Sequence, residues 1–227
     1  MSDLSSIIIT FKLALTTSVI LMIIGLPLAW WLARPSSRIF SQKIKPLAEA
    51  IVALPLVLPP TVLGFYLLIA FSPDSWLGSS WLTITGSTLA FSFAGLVIGS
   101  IIYSLPFVVQ PLQATFAAIP EATLEVAGSL GAKRWLLFKQ IIFPLSKTGM
   151  ISAFSLGFAH TIGEFGVVLM IGGNISEETR VLSIAIYDHV ETLNFAKAHE
   201  LSAGLIVFSL LLLTWLYRNK NNRVGFS

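Results

Sequence analysis

His160 and Glu164 stand four residues apart in the stretch "AFSLGFAHTIGEFGVVLM", which is otherwise apolar or small. Residues at this spacing share one face of a helix. An imidazole and a carboxylate so placed can pair with each other or act beside a pathway or its gate. Two side chains are too few for a metal site. Ionisable groups in apolar segments are costly and usually face protein or a water-filled cavity. Gly163 and Gly166 flank the carboxylate and permit close approach or bending. A second unusual stretch is "LPLVLPPTVLGF", with Pro55, Pro59 and Pro60. Each proline removes a backbone donor and disturbs the preceding turn. One proline could be a packing kink; three within six residues favour a hinged or pathway-lining helix.

Searches for a catalytic constellation end negatively. "HELSA" at His199 to Ala203 begins like a zinc-protease motif but lacks the second histidine. "GSLGAKRW" lacks the GK[ST] ending that cradles phosphate, and no GxSxG elbow occurs. With no cysteine, disulfides and thiolate chemistry are excluded.

The elements that must position these residues are set by composition. Hydrophobic residues make up 55% of the 227-residue chain, charged residues 11%, and the mean hydropathy is +0.85. A soluble domain carries about 25% charged residues, so an all-α, polytopic membrane bundle is expected. The formal charge of +3 is too small to suggest nucleic acid. Five apolar segments predict five transmembrane helices, near Ile7–Ala33, Leu47–Ser72, Gly86–Gln110, Gly149–Gly172 and Leu201–Tyr217. The first fits a span better than a cleaved signal peptide.

Eleven of the 14 Lys and Arg residues fall in alternate connections: Arg34, Arg38, Lys43 and Lys45; Lys133, Arg134, Lys139 and Lys147; and the tail with Arg218, Lys220 and Arg223. The positive-inside rule then puts the N-terminus outside and the C-terminus in the cytoplasm. Trp30, Trp31, Trp76, Trp81, Trp215 and Tyr217 lie at predicted span ends or in the outer loop, as interfacial aromatics do. "VLSIAIYDHV" is too short to span. A short helix dipping into the outer leaflet is expected there, with a sixth span as the alternative. Gly95 and Gly99 form a GxxxG pair for close helix packing.

One cytoplasmic segment is too ordered for a simple connection: "QPLQATFAAIPEATLEVAGSLGAKRWLLFKQIIFP". Pro120 can open a helix, Glu121 and Glu125 suit its positive end, and Gly131 stands where a C-terminal cap belongs. "AKRWLLFKQIIF" predicts a second helix, stopped at Pro144. Such a hairpin offers a small exposed face to a groove on a partner.

The order Glu125-Val126-Ala127, three residues, Gly131, nine residues, Ile141, one residue, Phe143-Pro144 resembles the EAA loop of ABC importer permeases, E-A-A-x3-G-x9-I-x-L-P. Val126 and Phe143 are mild apolar departures. "LPLVLPPTVLGFYLL" and "TIGEFGVVLMIGGNISEETRVLSIAIYDHV" further resemble the molybdate permease branch, close to the sulfate permeases. "NISEETR" departs from the more usual N-I-P-G-x-T-R. Short length and five spans fit the molybdate branch better than the sulfate one.

The resemblance implies a type I ABC importer permease fold: one permease domain over residues 1–227, with a cytoplasmic coupling loop at 112–148. It implies that the 121–144 stretch seats in a separate ATPase. The coupling residues would be Glu121, Glu125, Val126, Ala127, Gly131, Ala132 and Pro144, with Ala127 keeping the contact face small. It further implies a homodimer in membrane lipid on two ATPase copies, which bind ATP and magnesium, so this chain holds no cofactor of its own. An extracytoplasmic oxyanion-binding protein would deliver molybdate or tungstate, and the chain would be a multi-pass inner-membrane transport subunit rather than an enzyme. Pro59, Pro60, Thr61, Glu164 and Asn174 are the expected pathway or gate positions. The chain shows no cluster of intramembrane cations, which suits a permease that leaves selectivity to its binding protein. A sulfate-type permease is the alternative within this class. Outside it stands an ion-coupled secondary transporter using Glu164, which predicts internal repeats and leaves the hairpin without a purpose; a membrane scaffold is a further alternative.

Overall fold

The computed structural model describes residues 2–35 and 39–221. Arg38 and Arg223, counted above among the cytoplasmic cations, lie outside them. Every regular element among the described residues is helical: α1 Ser2–Ala33, α2 Ile39–Val57, α3 Pro60–Phe71, α4 Trp76–Thr85, α5 Phe93–Ala117, α6 Glu121–Ser129, α7 Arg134–Leu137, a π-helical turn at Phe138–Ile142, α8 Phe143–Gly163, α9 Gly166–Gly172, α10 Leu182–Glu191 and α11 Phe195–Asn221.

Four stretches are long and apolar enough to cross a membrane: Asp3–Ala33, Phe93–Ala117, Trp135–Gly163 and Phe195–Leu216. The pair Lys43–Val57 and Pro60–Phe71 makes a fifth if its two halves, bent by 112°, count as one span. Four of the five expected segments are therefore present with shifted ends, and the second is present as this bent pair. The third begins at Phe93 rather than Gly86. Gly86 ends α4 in a left-handed conformation (φ +73°), and the Ser92 side chain accepts from Gly95 N to start α5. It continues past Gln110 to Ala117 despite Pro106 and Pro111.

The largest correction concerns Pro144. The helix beginning at Arg134 is not stopped there but runs through the π turn into α8. A π turn widens the helix by one residue, which relieves the clash between a proline ring and the carbonyl four residues back. The fourth span accordingly starts well before Gly149 and breaks at Glu164.

α5 is the central post, burying Leu96, Val108, Val109, Leu112 and Phe116 among its neighbours. α1 lies along it, presenting Leu13, Ala14, Thr17, Ser18 and Leu21 inward and Ile8, Leu15, Val19 and Ile23 outward. Small and hydroxylated inward residues let the two backbones approach. Of the expected glycine pair, Gly99 closes α5 on α9: a Cβ there would meet Ile171 Cδ1 at 2.2 Å. Gly95 instead sits against the Leu89 carbonyl, so its small size serves the preceding turn rather than helix packing. α10 is a separate ten-residue helix against α1 and α11, too short to be a sixth span. α11 is peripheral, with Ala198 its only fully buried residue among the described side chains.

Candidate functional site

Two helix breaks meet inside the bundle. The first follows from the prolines. Neither Pro59 nor Pro60 can donate to the turn before it, so α2 ends and the chain passes through Pro59 in an extended conformation (φ −54°, ψ 136°). The Pro59 carbonyl accepts from Val62 N and Leu63 N (2.9 and 3.2 Å) and starts α3 in a new direction. The second break lies between α8 and α9. Pro60 and Gly166 place the two side by side: a Cβ on Gly166 would lie 2.7 Å from Pro60 Cβ. One turn further, Gly64 permits the same approach, where a Cβ would meet Met170 Cβ at 2.8 Å.

Glu164 is buried at this second break. Its Oε1 accepts from Val167 N (2.8 Å), capping α9, and its carbonyl accepts from the Ser183 hydroxyl of α10 (2.6 Å). A carboxylate at a helix N-terminus is favoured by the helix dipole; here the partly positive end of α9 supplies the charge that lipid cannot. The Tyr103 hydroxyl is a further polar neighbour of this carboxylate. His160 does not pair with Glu164. Its ring stacks on Phe107 (centroids 3.7 Å) and Tyr103 (4.7 Å), while Nδ1 bonds Ser104 Oγ at 3.0 Å. Ser104 Oγ also lies 3.1 Å from Thr161 Oγ1. The result is a hydroxyl, aromatic and imidazole cluster between α5 and α8, beside the capped break.

Pro59 and Thr61 are exposed, Pro60 is half-buried, and Glu164 is buried, all near the meeting of the breaks. Asn174 is not among them. It lies beyond the far end of α9, about 10 Å further along, and donates to Asp188 Oδ1 (3.2 Å), while Asp188 Oδ2 pairs with Arg180 (2.8 Å). The loop between is pinned by buried Thr179, which donates to the Gly172 carbonyl (2.6 Å) and accepts from Ile175 N (3.2 Å). Glu177, at the glycine position of the usual N-I-P-G-x-T-R pattern, has φ +67°. The backbone thus keeps the left-handed turn that glycine would make easily.

On the cation-rich side, α6 and α7 form the expected hairpin. Pro120 caps α6. Gly131 has φ +75°, its N–H bonds the Gly128 carbonyl (3.0 Å), and Ala132 N bonds the Ala127 carbonyl (3.1 Å). These are the two bonds of a Schellman ending. Glu121, Glu125 and Val126 are exposed, as are Leu130 and Trp135 at 83% and 70%, and Pro144 is exposed behind the π turn. Ala127 departs from its expected role: it is buried within this chain, so it does not form the exposed face. Ala132 is half-buried behind the turn.

Arg34, which the sequence marked only as a topological cation, secures this hairpin's root. Its guanidinium donates to the carbonyls of Phe116 (2.9 Å) and Ile119 (3.1 Å) and lies over Trp30, 4.6 Å from the ring centroid. Burial lowers the Arg34 pKa from its ordinary value, an effect opposed by the Glu121 carboxylate. Lys45 in turn donates to the Arg34 carbonyl. Tyr103 and Phe107 were equally unmarked; their four-residue spacing on α5 was the available signal.

A bundle of long apolar helices with a broken proline helix and an exposed hairpin on its cation-rich side fits a polytopic membrane protein. Comparison with known proteins agrees. Residues 25–224 match the family described as binding-protein-dependent transport system inner membrane component, and the chain belongs to that family. It is 52% identical to the molybdenum transport system permease protein ModB of Azotobacter vinelandii, covering 99% of this chain and 97% of that one. Identity to the protein of the same name in Haemophilus influenzae is 34%, covering 94% and 95%. A probable sulfate transport system permease protein, cysT of Zygnema circumcarinatum, is 31% identical, covering 96% of this chain but 75% of that one. Among solved structures, the MetNI methionine ABC transporter in inward-facing conformations aligns with a TM-score of 0.73 at 17% identity, covering 96% and 94%. At that identity the likeness shows the fold alone.

Proposed function

We propose that this chain is the permease subunit of an ATP-driven uptake system for molybdate, with tungstate as a second substrate. The observation that carries this reading is the 52% identity to a molybdenum permease along essentially the whole of both chains. The N-terminus faces outward and the C-terminus the cytoplasm, so the α6–α7 hairpin meets the cytoplasmic ATPase. Two copies of the chain enclose one pathway, and each seats one hairpin on one of two ATPases, which bind ATP and magnesium. The 112–148 loop is part of the single permease domain rather than a separate unit.

In this arrangement Glu125, Val126 and Leu130 form the docking face, Gly131 sets its turn, and Ala127 packs it onto the chain. Glu121 supports Arg34 at the root. Pro59, Pro60 and Thr61 line or gate the pathway where the helix breaks. Glu164 serves as a structural cap, since a bare carboxylate beside an anion's path would repel it. An extracytoplasmic binding protein delivers the oxyanion on the side where Asn174 and the 174–180 loop lie.

The test is uptake of labelled molybdate into proteoliposomes containing the chain, its ATPase and its binding protein. ATP-dependent uptake blocked by tungstate and unaffected by sulfate is expected. Blockage by excess sulfate would move the protein to the sulfate branch. Absence of ATP-dependent uptake of all three anions would overturn the reading.

A further inference from the structure

We propose that the cleft between α1, α8 and α11 binds one acyl chain of an acidic phospholipid, with the headgroup phosphate held at Lys147. The cleft encloses about 470 Å³. Met22 of α1, Met150, Ile151 and Phe154 of α8, and Leu212 of α11 form its walls, with buried Ser155 among them. No carboxylate lines it, and no oxyanion on a transport path would choose such walls.

Its length and its two ends decide the occupant. Lys147 and Phe158 of the lining stand eleven residues apart on α8, or about 16 Å of helix rise, with Phe143 one turn beyond Lys147. That is about half of the ~30 Å hydrocarbon thickness, the depth of one leaflet. Rings gather at the far end: Phe158 lies 6.3 Å from Phe11, which meets Phe208 edge-on at 5.1 Å. The near end carries Lys147, which has no acidic partner among the described residues, beside Trp215, an interfacial aromatic 55% exposed. Arg218, exposed, follows three residues after Trp215. An apolar groove about one leaflet long, with an unpaired lysine near one end, complements a fatty chain ending in a phosphate. A free phosphate would leave the apolar groove empty.

The test uses the full chain in phosphatidylcholine vesicles with trace spin-labelled phosphatidylglycerol or spin-labelled phosphatidylcholine, comparing the motionally restricted fractions. One lysine near the membrane surface predicts about a fivefold preference for phosphatidylglycerol. Lys147→Gln should bring the ratio near one and Lys147→Arg should keep it. Ser155→Trp, or Leu212→Trp at a half-exposed position if the first disturbs folding, should fill the slot and abolish the preference with Lys147 in place. Equal restriction of the two lipids by the unaltered chain would overturn the proposal, as would a preference surviving Lys147→Gln. A preference surviving a filled slot would place the lipid on the general surface and overturn the cleft.

Discussion

Arg34 donates to the Ile119 carbonyl across 85 residues of sequence, one residue before the cap of the α6–α7 hairpin. With its second bond to Phe116, this joins the end of the first span to the end of the third. The hairpin therefore cannot shift without moving both. Arg34→Ala removes two charge-assisted bonds, each worth about 1.5–3 kcal/mol. Faster amide hydrogen exchange over residues 118–133 and weaker coupling of ATP hydrolysis to uptake are expected. Arg34→Lys should restore part of both, because a lysine lacks the planar fork.

The exposed face of the hairpin gives a separate expectation. Leu130→Asp places a charge at a position 83% exposed, so the chain should fold and insert normally. Co-purification of the ATPase should fall at least tenfold. Gly131→Leu adds a left-handed strain of about 1–2 kcal/mol and should weaken the same association by distorting the turn.

Glu164 distinguishes a cap from an ion site. Glu164→Gln keeps an oxygen that can accept from Val167 N, and uptake should stay within a few-fold of normal. Glu164→Ala loses the cap, at about 1 kcal/mol, and should lower the thermal midpoint. An ion-coupled transporter would show the reverse order of severity, with the glutamine variant abolishing transport driven by an ion gradient.

Where the two breaks meet, space is the constraint. Gly166→Val must displace Pro60, since a Cβ alone reaches 2.7 Å from it. Overpacking of this kind costs about 1–3 kcal/mol. Reduced thermal stability and lower uptake are expected, with hairpin binding to the ATPase retained.

At Glu177 the change should be favourable. Glycine adopts φ +67° without the Cβ clash, so Glu177→Gly should stabilise the 174–180 loop by about 1 kcal/mol, read as a higher thermal midpoint.

The apolar runs were long enough to reveal the spans, and the prolines at 59 and 60 announced the break in the second. The hairpin was legible because glycine and proline punctuate a polar stretch. The ends of α5 were not, because Ser92 capping and tolerance of Pro106 and Pro111 depend on what surrounds them. Pro144 misled for the same reason: a proline stops an α-helix, yet a wider turn absorbs it. His160 and Glu164 do not share a helical face, because α8 ends at Gly163 and Glu164 is extended; their partners come from α5, α9 and α10, which spacing within one segment cannot disclose. That Ala127 is buried within the chain was not legible, because a motif records identity, not direction.

The wide turn at Phe138–Ile142 also resets the phase of its helix. One extra residue in the turn offsets all of α8 by about 100° from the course of an unbroken α-helix. Residues of α7 and α8 that a helical wheel would align, such as Trp135 and Ala153, eighteen residues apart, are thus rotated apart: Trp135 is exposed and Ala153 buried. A scan of substitutions along 134–163 should show two interleaved periodicities, in step within each part and out of step across residue 140.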